Sequence, residues 1–101
     1  MELFPEELRH QLPPLYSQEH VEDPMVICKF FHPLSTMTWY AIEGSSEEND
    51  FIFFGWVHSD QPELGYFSLN EMQETHVMGL GIERDLHFSP KKLSEVRKEH
   101  E

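Results

Sequence analysis

What the sequence lacks most is positive charge in its middle. Residues 30–83 contain nine acidic residues and no lysine or arginine, so this segment carries −9 of a formal net charge of −12. Residues 1–29 carry −4 and residues 84–101 carry +1. Lysine and arginine supply most of a protein's affinity for phosphate backbones. This distribution argues against ordinary DNA or RNA binding and against polyphosphate or phospholipid partners, whereas a basic protein partner is compatible with it.

Several chemical motifs are absent as well. Cys28 is the only cysteine, so no intrachain disulfide can form and nothing indicates an oxidising compartment. The chain has no Ser-His-Asp order, glycine-rich phosphate loop, paired-cysteine motif or HExxH. We therefore predict no catalytic residue, no cofactor and no metal site, and we favour a non-enzymatic function.

Targeting and membrane signals are missing too. No apolar stretch approaches the ~20 residues of a membrane span. The opening letters MELFPEELRHQLPP place acids and prolines where a secretory signal has a basic start and an apolar run. We expect a soluble, cytoplasmic protein without a membrane partner.

The composition that is present predicts one folded domain over residues 1–101. Hydrophobic residues make up 39% of the chain and aromatic residues 13%, which suffices for a core. Residues 90–101 are polar and predict a terminal helix, starting near Ser94, or a frayed tail. The expected fold is α+β, a mostly antiparallel sheet of four to five strands with short helices packed on one face.

The predicted elements follow from local signals. Branched and aromatic runs at 25–32, 36–43, 51–58 and 63–69 predict strands, and 82–88 predicts a fifth. Pro5 predicts a short first helix, and the Ser68–Glu71 spacing predicts a capped second one. We expect a hairpin loop over 44–50, a flexible end at Gly79 and Gly81, and a bulge or close backbone approach at Gly55.

The strand at 51–58 is apolar on both faces. Phe51, Phe53 and Val57 alternate with Ile52, Phe54 and Trp56, a pattern typical of a strand that is buried on both sides. Two small helices can cover one face of the sheet more easily than both faces. The second face must be covered by the N-terminal segment, the C-terminal tail or another chain. The last alternative would make it a homodimer or partner interface.

Histidines and acidic letters give weak site signals. The seven histidines show no spacing that pairs them locally, and Cys28 and His32 would lie ~13 Å apart on a strand. Glu43, Glu47, Glu48 and Asp50 lack the order of a calcium loop, so we interpret them as a solvated hairpin loop.

Candidate binding residues come from the aromatic runs and from the only permanent cation between Lys29 and Lys91. Arg84 shares a strand face with Ile82, and we expect it to form a structural ion pair or to present its guanidinium to a carboxylate in a cleft. Core packing is the default for the aromatic residues, and a binding platform is the alternative. The candidate binding residues are Trp39, Tyr40, Trp56, Tyr66, Glu83, Arg84 and Asp85.

Ordered blocks across the chain resemble a bacterial family catalogued as domain of unknown function 2958. The matching letters are LPPLYS, KFFHP, TWYAIEG, FFGWV, ELGYFSL, IERDLHF and LSEV, within residues 7–96. The resemblance implies an accessory protein of plasmids, integrative conjugative elements and phages, often near conjugation or antirestriction genes. It carries over no activity, cofactor or catalytic residue.

Two functions follow from the sequence. The first is a protein-interaction module of a mobile element, with an anti-restriction or anti-defence role through acidic mimicry of DNA as one specific form. The alternative is a small enzyme or ligand-binding domain with a pocket between sheet and helices. For that pocket the candidate residues are His58, Tyr66, Glu83, Arg84 and Asp85.

Overall fold

The computed structural model describes residues 2–101 and contains a central antiparallel sheet with short helices. In chain order the elements are α1 (Glu6–Arg9), β1 (Met25–Val26), β2 (Cys28–Phe31), β3 (Thr38–Glu47), β4 (Asp50–His58), β5 (Glu63–Ser68), α2 (Leu69–Glu74), β6 (His76–Val77), β7 (Leu80–Gly81), β8 (Glu83–Arg84), β9 (Lys91–Lys92) and α3 (Leu93–Lys98). The five strands of the sheet lie in the spatial order β5-β4-β3-β2-β8, and two small ribbons pair β1 with β9 and β6 with β7. The α+β class and the antiparallel sheet are confirmed.

One face of the sheet, the phenylalanine face, is built on a cluster of stacked and edge-packed rings. Phe53 is fully buried at its centre and lies 5.1 Å from the Phe67 ring and 5.5 Å from the Phe30 ring. The N-terminal segment covers this face, because the Phe4 ring lies 4.9 Å from Phe53. Helix α2 adds Leu69 and Met72 to the same core.

The other face, the tryptophan face, carries Tyr40 and Trp56 on neighbouring strands, with their rings stacked 5.8 Å apart. Helix α3 covers them with Leu93 and Val96. The helices therefore divide between the two faces, whereas the sequence predicted them on one. The chain's own two ends supply most of the cover that the apolar strand β4 needs.

The hairpin between β3 and β4 is tighter than predicted. Strand β3 continues through the acidic letters to Glu47, which pairs with Asp50, so the turn is Glu48–Asn49 and the predicted loop over 44–50 is wrong. Glu48 takes a left-handed φ of +52° to make this turn. Pairing of the serines after Gly44 with β4 outweighs their preference for loops.

The capped helix is present. The Ser68 hydroxyl accepts a hydrogen bond from the Glu71 amide at 3.2 Å. Asp50, at the start of β4, accepts hydrogen bonds from the Ser68 hydroxyl and the Asn70 amide at 2.5 and 3.0 Å. These hydrogen bonds, above all the one from Ser68, lower the pKa of Asp50. The helix start is therefore tied to the β3–β4 turn as well as to its own cap.

Three other element predictions need correction. The strand predicted over 82–88 pairs with β2 only at Glu83–Arg84. The strand predicted over 25–32 divides at Ile27, because β1 pairs with β9 while β2 pairs with β3. The predicted flexible end at Gly79 is an ordered ribbon turn between β6 and β7, and Gly79 has the φ of +80° that favours glycine.

The helices found in residues 2–101 are short. None of them is long and apolar enough to cross a membrane.

Candidate functional site

On the side away from β4, strand β3 extends past the end of its pairing with β2. A loop of residues 13–18 lies along this free edge. Strand β2 pairs with β3 only as far as Ala41. Beyond that point the Gly44 amide donates to the Pro13 carbonyl at 2.9 Å, and the Leu15 amide donates to the Ser45 hydroxyl at 2.9 Å. The two adjacent prolines, Pro13 and Pro14, cannot continue a helix, and the residues after them form turns, in which the Ser17 amide donates to the Pro14 carbonyl at 3.1 Å.

Glu43 anchors this loop from inside. Its side chain is buried, and its two carboxylate oxygens accept hydrogen bonds from the Tyr16 amide at 2.8 Å and the Gln18 amide at 2.7 Å. The prediction of a solvated Glu43 is therefore wrong. The bulge opposite Gly55 turns Glu43 toward the tryptophan face, where it pairs with Phe54. Within residues 2–101, no lysine or arginine forms an ion pair with Glu43.

The anchored loop presents Tyr16 to the sheet. Tyr16 takes a left-handed φ of +73°, a conformation that costs a residue other than glycine about 1 kcal/mol or more. Its ring lies 6.4 Å from the Tyr66 ring on β5, and Tyr66 lies 5.0 Å from Phe54 on β4. The hydrogen bonds to Glu43 offset the backbone strain. We call Tyr16, Phe54 and Tyr66 the aromatic cage.

The aromatic cage encloses a small cavity of about 130 Å³. Glu43 and Glu19 also line this cavity, so carboxylates lie beside the rings. Partial desolvation raises the pKa of Tyr66, and the Tyr16 hydroxyl and the Glu43 and Glu19 carboxylates raise it further. The contributions of Glu43 and Glu19 to this shift show that their negative charges act at the Tyr66 hydroxyl. Tyr16 and Tyr66 remain 62% and 56% exposed, so the site opens to solvent.

The predicted aromatic residues do not form one platform. Trp39 packs on the phenylalanine face, whereas Tyr40 and Trp56 are buried beneath α3 on the tryptophan face. Of the four aromatic candidates, Tyr66 alone enters the cage. No local signal in the sequence points to Tyr16, because its position depends on a hydrogen bond to Glu43, which is 27 residues away in the sequence.

The three candidates on β8 and just after it lie away from the cage. Arg84 donates to the backbone carbonyls of Leu3 at 3.1 Å and Glu2 at 3.4 Å, so it holds the N-terminal segment in place. No acidic side chain within residues 2–101 forms an ion pair with Arg84, so the predicted ion pair is replaced by these carbonyl bonds. Asp85 instead lies 3.6 Å from the Lys29 ammonium, and Glu83 is exposed.

A second cluster, which the sequence analysis missed, forms where the C-terminus meets β4. The His58 and His100 rings stack with centroids 3.9 Å apart, and His100 Nε2 lies 2.6 Å from the Tyr40 hydroxyl. Burial, followed by the negative charges of Glu99 and Asp85, raises the pKa of Tyr40 to about 12. Tyr40 therefore stays protonated at neutral pH, and its hydroxyl can donate to His100 Nε2 in the tautomer that leaves this nitrogen unprotonated.

This cluster predicts a pH dependence. Burial, followed by the neighbouring His58, lowers the pKa of His100 from its usual 6.5. The folded state then binds fewer protons than the unfolded state below pH 6.5, so the His100 contact stabilises fully above that pH and is lost as the pH falls through the lowered pKa. We expect the loss of unfolding free energy in His100→Ala to be larger at pH 7.5 than at pH 5.0. Urea denaturation of both chains at the two pH values measures this, and an equal loss at both would contradict it.

The buried cysteine thiol is not activated as a nucleophile. Burial raises the pKa of the Cys28 thiol to about 12, so the thiol is protonated and a poor nucleophile at neutral pH. Within residues 2–101, no three histidine, cysteine, aspartate or glutamate side chains lie close enough to share a metal ion.

Comparison with known proteins matches the chain to one family model. The model described as protein of unknown function, DUF2958, matches residues 3–98. No curated protein and no solved structure matches the chain. The matched range contains every helix and strand of the fold, so the aromatic cage belongs to the part of the chain that the family model covers.

Proposed function

The chain belongs to the DUF2958 family, and we propose that it is a non-enzymatic interaction module whose aromatic cage binds a lysine or arginine side chain of a basic partner protein. The observation that carries this proposal is the arrangement of Tyr16, Phe54 and Tyr66 around a cavity of about 130 Å³, with the buried Glu43 beside them. Cations bind favourably over aromatic rings. A carboxylate without an ion-pair partner adds attraction of the same sign.

The charge of the surroundings supports a cationic ligand. The segment that supplies Glu43, Phe54 and Tyr66 contains no lysine or arginine, and Glu19 adds a further carboxylate. An anionic ligand would meet this field unfavourably, and a neutral apolar ligand would gain nothing from it.

The size of the cavity supports a side chain as the ligand. Pockets for small-molecule substrates usually enclose ~300–1,000 Å³. The cage cavity of about 130 Å³ is smaller and suits the end of one side chain. The exposed Leu64 on β5 extends the surface beside Tyr66 and would contact the residues that flank the inserted side chain.

Paired peptides test the proposal. The peptide acetyl-Gly-Gly-Lys-Gly-Gly-amide and its norleucine counterpart differ in the ammonium group and have similar chain lengths. We expect the lysine peptide, titrated at low salt and followed by NMR, to shift the ring signals of Tyr16 and Tyr66 saturably, and the norleucine peptide not to. Tyr66→Leu should weaken binding about 2-fold to 30-fold, the range that a cation–π contact spans.

Tyr66→Phe is the matched control, because it keeps the ring and removes only the hydroxyl. Its affinity should stay within about twofold of the unaltered protein. Equal binding of the lysine and norleucine peptides, or unchanged affinity in Tyr66→Leu, would contradict the cage. Sedimentation without peptide tests the predicted homodimer separately, since self-association through the aromatic surface would make the protein dimeric before any ligand is added.

Acidic mimicry of DNA stays a separate proposal with a distinguishable result. Mimicry depends on exposed carboxylates, such as Glu47 and Glu48, and not on the rings. If a basic nuclease bound equally well to Tyr66→Leu and lost affinity in Glu47→Gln/Glu48→Gln, mimicry would be favoured over the cage. The bacterial mobile-element setting that the resemblance implies likewise stays a prediction.

A further inference from the structure

Two side-chain nitrogens without hydrogen-bond partners lie at the end of the tryptophan face away from the cage. Within residues 2–101, the buried side-chain nitrogen and oxygen atoms that lack a hydrogen-bond partner are Trp56 Nε1 and His58 Nδ1. The indole N–H of tryptophan can only donate, so only an acceptor satisfies it. Buried polar groups are nearly always paired in folded proteins, and an exception calls for an explanation.

A cleft of about 660 Å³ lies at these two residues. We call it the C-terminal cleft. Its lining includes Trp56, His58, Arg97, Lys98 and His100. The Arg97 guanidinium lies 5.5 Å from the centroid of the Trp56 ring. In the described part of the chain, neither Arg97 nor Lys98 forms an ion pair. Two cations and two unpaired nitrogens therefore face or flank one space.

The cleft also contains three acidic residues, so its preference for an oxyanion comes from the position of Arg97 beside Trp56 and not from its net charge. The Asp23 carboxylate accepts hydrogen bonds from the Ser94 amide at 2.9 Å and the Ser94 hydroxyl at 2.6 Å, so its acceptor capacity is largely used. Glu22 and Glu101 line the cleft from exposed positions, where water screens them as it screens the exposed Arg97 and Lys98. Residues 84–101 also carry the only positive net charge of the three sections of the chain.

We propose that the C-terminal cleft binds a small molecule bearing an oxyanion, a carboxylate or a phosphate, as a second site independent of the aromatic cage. The oxyanion accepts from Trp56 Nε1 and pairs with Arg97. The His58 and His100 rings, each 5.4 Å from the Trp56 ring, pack around the indole. Because Nε1 is closed to solvent, the oxyanion reaches it when the exposed, penultimate His100 moves aside.

The indole N–H signal of Trp56 reports this binding directly. The unaltered protein, labelled with ¹⁵N, is titrated with sodium benzoate, with sodium phosphate and with neutral benzamide at constant ionic strength in sodium chloride. Trp39→Phe assigns the two indole signals. We expect the Trp56 signal to move saturably with benzoate or phosphate, and the Trp39 signal not to move. The tighter of the two salts identifies the ligand as a carboxylate or a phosphate.

Arg97→Gln and Lys91→Gln form a matched pair of variants. Arg97 lines the cleft, whereas Lys91 lies outside it and bonds to Glu99 at 2.6 Å. Arg97→Gln should weaken oxyanion binding fivefold or more, and Lys91→Gln should leave it within about twofold. The inference is overturned if neither salt moves the Trp56 signal, if benzamide moves it equally, or if both variants bind as the unaltered protein does.

Discussion

Gly55→Ala is expected to destabilise the fold by about 3 kcal/mol or more, the upper range for overpacking a core. Gly55 lies in the middle of β4, and a Cβ atom there would lie 1.8 Å from the Tyr40 carbonyl oxygen on β3. That atom belongs to the backbone of a central strand, so it cannot move as a flexible side chain would. The sequence predicted a close backbone approach at this glycine, and the geometry confirms it. Urea denaturation measures the loss of unfolding free energy.

Gly65→Ala is the control, because Gly65 pairs directly with Gly55 on the neighbouring strand. A Cβ atom at Gly65 meets nothing within 4 Å. We expect this variant to match the unaltered protein within about 0.5 kcal/mol, as surface substitutions usually do. Equal losses in the two variants would mean that the effect comes from strand propensity and not from contact with Tyr40.

Glu43→Gln is expected to have the second largest effect and to act on both stability and binding. The buried carboxylate accepts hydrogen bonds from two backbone amides, and a glutamine side chain replaces one acceptor oxygen with a donor NH₂ group. One amide then loses its partner, which costs about 2 kcal/mol. The loop that holds Tyr16 loosens, and the cage loses the charge of its buried carboxylate and keeps only that of Glu19. We expect affinity for the lysine peptide to fall at least about tenfold.

Glu47→Gln serves as the comparison for Glu43→Gln. It removes the same charge from the same strand, but Glu47 is exposed. Its unfolding free energy and its affinity for the lysine peptide should both stay close to those of the unaltered protein. A similar loss of affinity in the two variants would show that net charge, and not the position of Glu43, governs binding.

The sequence predicted the helices and strands that are determined by residues close together along the chain. The apolar run that became β4 was found within one residue, because its composition permits little else. The cap at Ser68 was found because its partner amide is three residues away. The fold class followed from the order of these elements.

Long-range contacts set what the sequence could not predict. In the sequence, Glu43 belongs to an acidic segment that is typical of a solvated loop. Its anchoring role depends on residues 13–18, which pack against the free edge of β3. His58 and His100 are 42 positions apart in the sequence and meet only because α3 folds back over Trp56. No spacing rule connects such residues, because their proximity depends on which end of the chain covers which face of the sheet.

We propose the cage and the cleft as two sites of opposite charge preference, both on the tryptophan face. Phe54 and Tyr66 form one end of this face beside Glu43, and Trp56 and His58 form the other end beside Arg97. A basic side chain and an oxyanion therefore do not compete. Tyr66→Leu should leave oxyanion binding intact, and Arg97→Gln should leave binding of the lysine peptide intact.

Intermolecular nuclear Overhauser effects between the lysine peptide and the protein show whether the peptide lies in the cage. If the cage binds the ammonium end, the lysine ε-methylene protons should show contacts with the rings of all three cage residues, Tyr16, Phe54 and Tyr66. Contacts with none of these rings, or with exposed acidic residues such as Glu47 and Glu48 alone, would contradict the account.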